Sequence, residues 1–297
     1  MDKFKTFNKG VKAINAIFEI NEEAYLCPLC LRFFNQEAIS KKVLTAEHVP
    51  QDSIGGNEVL LTCEKCNSES GYKFEADLKE RERLKTFIKA VSGKKGFEGK
   101  LKIELTMGGK KVNTHTQIKK DKILFKIPKK YNHPDNLDHI FKHLDTVYEN
   151  QSWSNEKFNI SPDISYSKRK VELSYLKTAY LASFALLGYR YILNKEFDVI
   201  RQQLLNPSKE IFQPYIFTLP KEIKRERKII SVEKPIKSIA VQIDENIVFL
   251  PPVENPIGSL SKIKDYLSKS NEKDQFSGEE FPWPHSLQLV LDFMAKN

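Results

Sequence analysis

The four cysteines of the 297-residue chain constrain it most. They form two pairs, Cys27-Pro-Leu-Cys30 and Cys63-Glu-Lys-Cys66, and no fifth cysteine is left over. Two residues between paired thiolates let both sulfurs reach one tetrahedral zinc at about 2.3 Å, and two such pairs complete a closed structural site. Two redox dithiols are the competing account, and Cys27-Pro-Leu-Cys30 looks superficially like one. A redox fold gives the second pair no role, so the spacing predicts that Cys27, Cys30, Cys63 and Cys66 hold Zn2+. Residues 31–62 exceed what a minimal zinc ribbon needs, so a further segment sits between the two halves of the clamp.

That segment contains Glu47, His48, Pro50, Gly55 and Gly56. Val43–Glu47 and Glu58–Leu61 read as short strands around a loop with turn-forming glycines, and a helix is expected from Cys66 to Val91. His48 stands at a strand end beside a carboxylate, in a stretch clamped by metal. Hydrolysis of a phosphodiester needs a base near neutral pKa to activate water and a hard cation to take up charge on the phosphate. Histidine supplies the first. Glu47 and the side-chain oxygen of Asn67 could ligate Mg2+ or Mn2+, which keep several waters and leave room for a phosphate oxygen. Neighbours in a regular strand face opposite sides, so Glu47 and His48 share a site only where the strand ends or twists between them.

Cys-x-x-Cys, Glu-His-Val-Pro, Gly-Gly and Cys-x-x-Cys-Asn-x-x-x-Gly, in this order over about Tyr25 to Ala90, resemble the HNH endonucleases. Their fold is the ββα-metal or His-Me finger, and the pattern is most similar to the zinc-ribbon type seen in the endonuclease VII group. The resemblance implies that His48 is the general base. Glu47 then stands where the family usually has a metal-binding aspartate, Asn67 is the other ligand of Mg2+ or Mn2+, and the four cysteines are structural zinc ligands. Asn57 lies near the family's middle asparagine and is a candidate loop support.

The rest of the chain carries no specific sequence-reading motif. Residues 93–131 alternate lysine with apolar residues, and Gly108-Gly109 makes a hairpin turn there. A helix is expected over 134–148, a polar loop over 149–167, a long apolar helix over Val171–Leu205, further strands over 229–253 and a closing helix in SLQLVLDFM. Lys177 and Arg190 interrupt the most apolar stretch, which therefore falls short of a membrane span. The start of the chain lacks the apolar core of a secretory signal, so a cytoplasmic location is expected. His139 and His143, four apart, fit an amphipathic helix better than a metal site, and Glu75 and Asp77 fit solvated helix positions.

A net charge of +9 favours a polyanionic partner. The lysine-rich run Lys94–Lys130 could track phosphates or be an ordinary solvated face. The expected fold class is α+β, with a zinc-clamped ββα-metal nuclease domain over 1–95 and an α+β domain over 96–297. The expected function is cleavage of DNA by an endonuclease, in restriction or antiphage defence. A zinc-stabilised nucleic-acid-binding protein without catalysis is the alternative, and a protein-binding adaptor is a remoter one. A homodimer and an activating partner protein stay open as partners.

Overall fold

In the computed structural model the described residues are 1–19, 23–92, 97–119, 122–152, 159–232, 238–251 and 278–288. The chain is mixed α+β and forms two compact units. One is discontinuous, Met1–Leu78 with Ser167–Asn297, and the other is Lys79–Tyr166. This differs from the expected division at residue 95. The cause is the helix Lys168–Leu187, which belongs with the cysteine segment and not with the lysine-rich strands.

The discontinuous unit begins with α1 (Lys3–Phe18), capped by Asp2, whose carboxylate accepts from the Lys5 amide at 3.0 Å. Two small antiparallel ladders follow, β1 (Ala24–Leu26) with β2 (Phe33–Asn35) and β3 (Leu44–Val49) with β4 (Asn57–Cys63); the short α2 (Glu37–Ser40) lies between β2 and β3. β4 runs directly into α3 (Glu64–Ser70). A single π-helical stretch, Gly71–Glu75, then leads into α4 (Ala76–Val91). The expected strand–loop–strand–helix order is present. β3, however, continues two residues past Glu47, through His48 to Val49, and the helix is interrupted at its second turn.

The expected Val171–Leu205 helix is three pieces, α6 (Lys168–Leu187), α7 (Tyr189–Ile192) and α8 (Asp198–Leu205). Gly188 separates the first two with φ 79°, a backbone region that side chains with a Cβ avoid. α6 is buried on nearly all sides, as a helix that is apolar all round must be. It packs on β3, on the π-helical stretch and on a five-stranded antiparallel sheet. That sheet has the order β13 (Gly278–Pro282), β10 (Glu226–Val232), β11 (Ser238–Asp244), β12 (Asn246–Phe249), β9 (Tyr215–Thr218). Residues 286–288 of the expected closing helix are not helical, and its remainder lies outside the described residues. No helix among the described residues is long and apolar enough to cross a membrane.

The second unit is a four-stranded antiparallel sheet with the order β7 (Lys122–Lys126), β6 (Lys110–Lys119), β5 (Phe97–Met107), β8 (Asn159–Pro162), together with α5 (Pro134–Glu149). Gly108 and Gly109, both at positive φ, turn β5 into β6 as expected. β8 falls in the stretch expected to be a loop. Leu105, Met107 and Val112 of the sheet bury against Leu137 and Ile140 of α5. The His139 ring nitrogen meets the Gly108 carbonyl at 2.9 Å and His143 packs on the same turn, so both histidines serve the hairpin.

The loop joining β3 to β4 is set by its glycines. Gly55 has φ 75°, and a Cβ on Gly56 would lie 1.4 Å from the Pro50 carbonyl oxygen. Gly56→Ala therefore has to push the backbone apart, and overpacking of this kind costs about 1–3 kcal/mol. Urea unfolding should show a loss in that range, and wild-type stability would contradict this account of the loop.

Candidate functional site

The four cysteines converge as their spacing predicted. Their Sγ atoms all lie within 4.8 Å of one another, and among the described residues they are the one group of three or more such ligands that could hold a metal. A tetrahedron with bonds of about 2.3 Å places its sulfurs about 3.8 Å apart, and Cys30 Sγ lies 3.7 Å from Cys63 Sγ. The donor set therefore fits a zinc ion. The Cys63 amide donates to Cys27 Sγ at 3.4 Å, and the Arg32 guanidinium stands 3.8 Å from Cys63 Sγ, where it offsets the excess negative charge of four thiolates.

The first knuckle is held by three buried tyrosines. Tyr180 on α6 donates to the Pro28 carbonyl at 2.7 Å, Tyr189 donates to the Leu26 carbonyl at 2.5 Å, and Tyr25 donates to the Leu61 carbonyl at 2.9 Å. Burial pushes all three phenols far above their ordinary range, so they stay neutral donors.

The clamp delivers β3, β4 and α3 to one another. Asn67 sits on α3 directly after Cys66. Its amide nitrogen reaches the Ala46 carbonyl and Thr45 Oγ1, each at 3.1 Å. The carbonyl can only accept, so the nitrogen must face it, and Asn67 Oδ1 is left as the outward oxygen. His48 is half-buried on β3 and pairs in register with Glu58. Between Glu47 and His48 the ladder slips by one residue, with Val59 as the extra residue on β4. A bulge of this kind bends and twists the strand that carries it, here β4. Along β3 the alternation holds, with Glu47 and Val49 buried and His48 half-buried between them, so the structure does not bring Glu47 and His48 to one face.

Glu47 has a different surrounding from the one expected. It is 3% exposed; its Oε1 accepts from Lys177 Nζ at 2.9 Å and its Oε2 from the Thr62 hydroxyl at 2.8 Å. Lys177, on α6 and 2% exposed, also donates to Ser70 Oγ at 2.6 Å and to Glu75 Oε1 at 3.0 Å, so all three ammonium hydrogens are spent. Burial alone would pull the Lys177 pKa down. The two carboxylates more than reverse this, and the ammonium is held above its ordinary value. Glu75 is pushed up, chiefly by burial. The expected Mg2+ or Mn2+ site with Glu47 as a ligand therefore does not fit these positions. A divalent ion on Glu47 would have to share a carboxylate whose Oε1 already holds the buried Lys177 ammonium and whose Oε2 accepts from Thr62, and two cations on one carboxylate repel strongly where water is scarce.

Sequence reasoning missed Lys177 altogether, because it reads as a break in an apolar helix, and it took Glu75 and Asp77 for solvated residues. The π-helical stretch corrects this. Around it the Phe74 and Glu75 carbonyls accept from Ser174 Oγ and Gln51 Nε2 at 3.1 Å each, and the Glu75 carboxylate reaches Lys177. Asp77 accepts from the Ser167 amide at 2.6 Å and pairs with Lys170 at the start of α6. The β3–β4 loop is braced by Arg227, which donates to the Ile54 and Gly55 carbonyls, and by Trp283, which donates to the Val49 carbonyl at 3.2 Å. Asn57 opens β4 opposite Val49 with its side chain exposed. No family model, curated protein or solved structure matches the chain.

Purified protein should carry one zinc per chain by elemental analysis. Cys66→Ser should lose that zinc together with the cooperative unfolding transition of the cysteine segment. A metal-free wild type with unchanged stability would contradict the clamp.

Proposed function

We propose that the β3–β4–α3 segment is the catalytic frame of an HNH-type endonuclease that hydrolyses phosphodiester bonds in DNA, with His48 as the general base. The observation that carries this is the juxtaposition around the four-cysteine cluster. A zinc-binding geometry fixes the start of α3, α3 presents Asn67 to the backbone of β3, and β3 presents His48 beside a glycine-closed loop. His48 takes the proton from a water molecule as its oxygen attacks phosphorus, and the bond to the leaving sugar oxygen breaks. Asn67 Oδ1 is the oxygen this frame would offer to a cation bound to the scissile phosphate. Glu47 contributes from behind: its ion pair with Lys177 holds β3 against α6 and so holds His48 in place. The excess of lysine and arginine supports a polyanionic substrate. Restriction or antiphage defence is the biology in which we place such an enzyme.

One observation favours a second reading, a zinc-stabilised nucleic-acid-binding protein without catalysis. The carboxylate that the HNH resemblance would give to the metal is spent on Lys177. The two readings separate on supercoiled plasmid incubated with zinc-loaded protein in Mg2+, Mn2+ or EDTA. The nuclease predicts nicking that His48→Ala lowers by at least about 100-fold, the usual range for a general base, with zinc content unchanged. Binding without nicking in either metal would establish the second reading, and undiminished nicking by His48→Ala would remove His48 from the mechanism.

A further inference from the structure

The second unit presents a feature that the cleavage chemistry does not use. On the face of its sheet turned away from α5, the register aligns Lys102 of β5, His115 of β6 and Lys126 of β7 in one row across three strands. At the edge of this row stands Tyr131, 50% exposed. Its ring lies edge-on to His115 with centroids 6.1 Å apart, and the ammonium groups of Lys102 and Lys130 lie 5.8 and 5.7 Å from its centroid. Lys102, His115 and Tyr131, with Asn113, Thr114 and Pro128, line a cleft of about 190 Å3; Lys126 and Lys130 flank it in sequence and register.

The tyrosine is held, not merely displayed. Asn132, next in sequence, imitates a neighbouring strand: its side-chain oxygen accepts from the Asn113 amide at 2.6 Å, and its nitrogen donates to the Asn113 and Pro128 carbonyls at 2.9 Å each. Asn113 Nδ2 in turn donates to the Tyr131 carbonyl at 3.1 Å. A ring held in place by its backbone and left half exposed offers a flat face ready to take a second planar group. That group must tolerate two ammonium groups within 6 Å. Among the described residues, Glu104 on this face is engaged by Lys111 at 2.7 Å and Asp163 follows β8 beside Lys102, so three lysines and His115 of the cleft and its row outnumber the acids next to them.

We propose that this cleft binds single-stranded nucleic acid, with an unpaired base stacked on Tyr131 and the flanking phosphates met by Lys102, Lys126 and Lys130. Flat aromatic rings interleaved with lysines on an open sheet are how such strands are held without sequence readout, because every base has a π-face and every linkage a charge. A paired duplex buries its base faces and offers nothing to Tyr131. The inference rests only on the nucleic-acid part of the function proposed above and not on cleavage.

The test is fluorescence anisotropy of the full chain in EDTA with labelled oligo-dT, oligo-U and a duplex, each of about 12 nucleotides. Single strands should bind more tightly than duplex, and the tighter of oligo-dT and oligo-U assigns the sugar. Tyr131→Phe should retain affinity, whereas Tyr131→Ala should lose about tenfold or more, the scale of one stacked base. Lys102→Ala with Lys130→Ala should flatten the dependence of log affinity on log salt by about 0.7 per lysine. On wild-type protein, photocrosslinking of an iodouracil strand should mark Tyr131 in the mapped peptide. Preference for duplex, undiminished binding by Tyr131→Ala, or crosslinks confined to other residues would overturn the proposal. Single-strand binding by a chain that never nicks plasmid would uphold it while removing the nuclease, and nicking without single-strand binding would do the reverse.

Discussion

The discontinuous unit depends on one buried ammonium group. Lys177 comes from a helix far along the chain and binds a carboxylate on β3, a hydroxyl at the end of α3 and a carboxylate at the end of the π-helical stretch. Of these three partners only Ser70 lies on an element that carries one of the cysteines, α3; β3 reaches the cluster through its ladder with β4. The ion is expensive to bury, and it is tolerated because every hydrogen it carries has an oxygen to go to. Two carboxylates around one ammonium leave a surplus of negative charge, which is why burial raises Glu75 while Lys177 stays firmly charged.

This arrangement gives the cysteine cluster and the lysine complementary tasks. The four sulfurs gather where β4 ends and α3 begins. They do not fix which way β3 presents its side chains to the rest of the unit. Lys177 does that, by drawing Glu47 inward, so that His48, next on the strand, is left half-buried on the opposite face. The loop beyond is then held from outside by Arg227 and Trp283, whose donors reach its backbone carbonyls. A histidine braced on both sides suits a base that must meet a substrate without rearranging.

The local part of this design is legible in the sequence. The cysteine spacing, the glycines of the β3–β4 loop, the Gly108-Gly109 hairpin and the apolar face of α5 each act within a few residues, and the structure has them where the pattern puts them. Lys177 was not legible. A lysine in an apolar helix usually marks an interruption, and its partners lie 102 to 130 positions away. The same distance hid the employment of Glu47, whose neighbour His48 invited a metal-ligand assignment. The π-helical stretch was hidden too, since Gly71-Tyr-Lys-Phe-Glu continues the helical period, and the donors that reach its carbonyls, Gln51 and Ser174, lie far away in sequence. The unit boundary was misplaced for a related reason: composition changes near residue 93, but the core of the first unit is closed by a helix that returns at residue 168.

The most direct measurement is a double-mutant cycle on the buried pair, with unfolding free energies for wild type, Glu47→Gln, Lys177→Met and the double variant. Lys177→Met strands two buried carboxylates, whereas Glu47→Gln leaves Lys177 still paired with Glu75. If Lys177 holds β3 through Glu47, Lys177→Met should lose about 3 kcal/mol or more, Glu47→Gln should lose less, and the cycle should show a coupling of about 1–3 kcal/mol. Additive losses, with coupling near zero, would mean that the two charges do not meet in the folded protein, and the account of how His48 is held would fall with them.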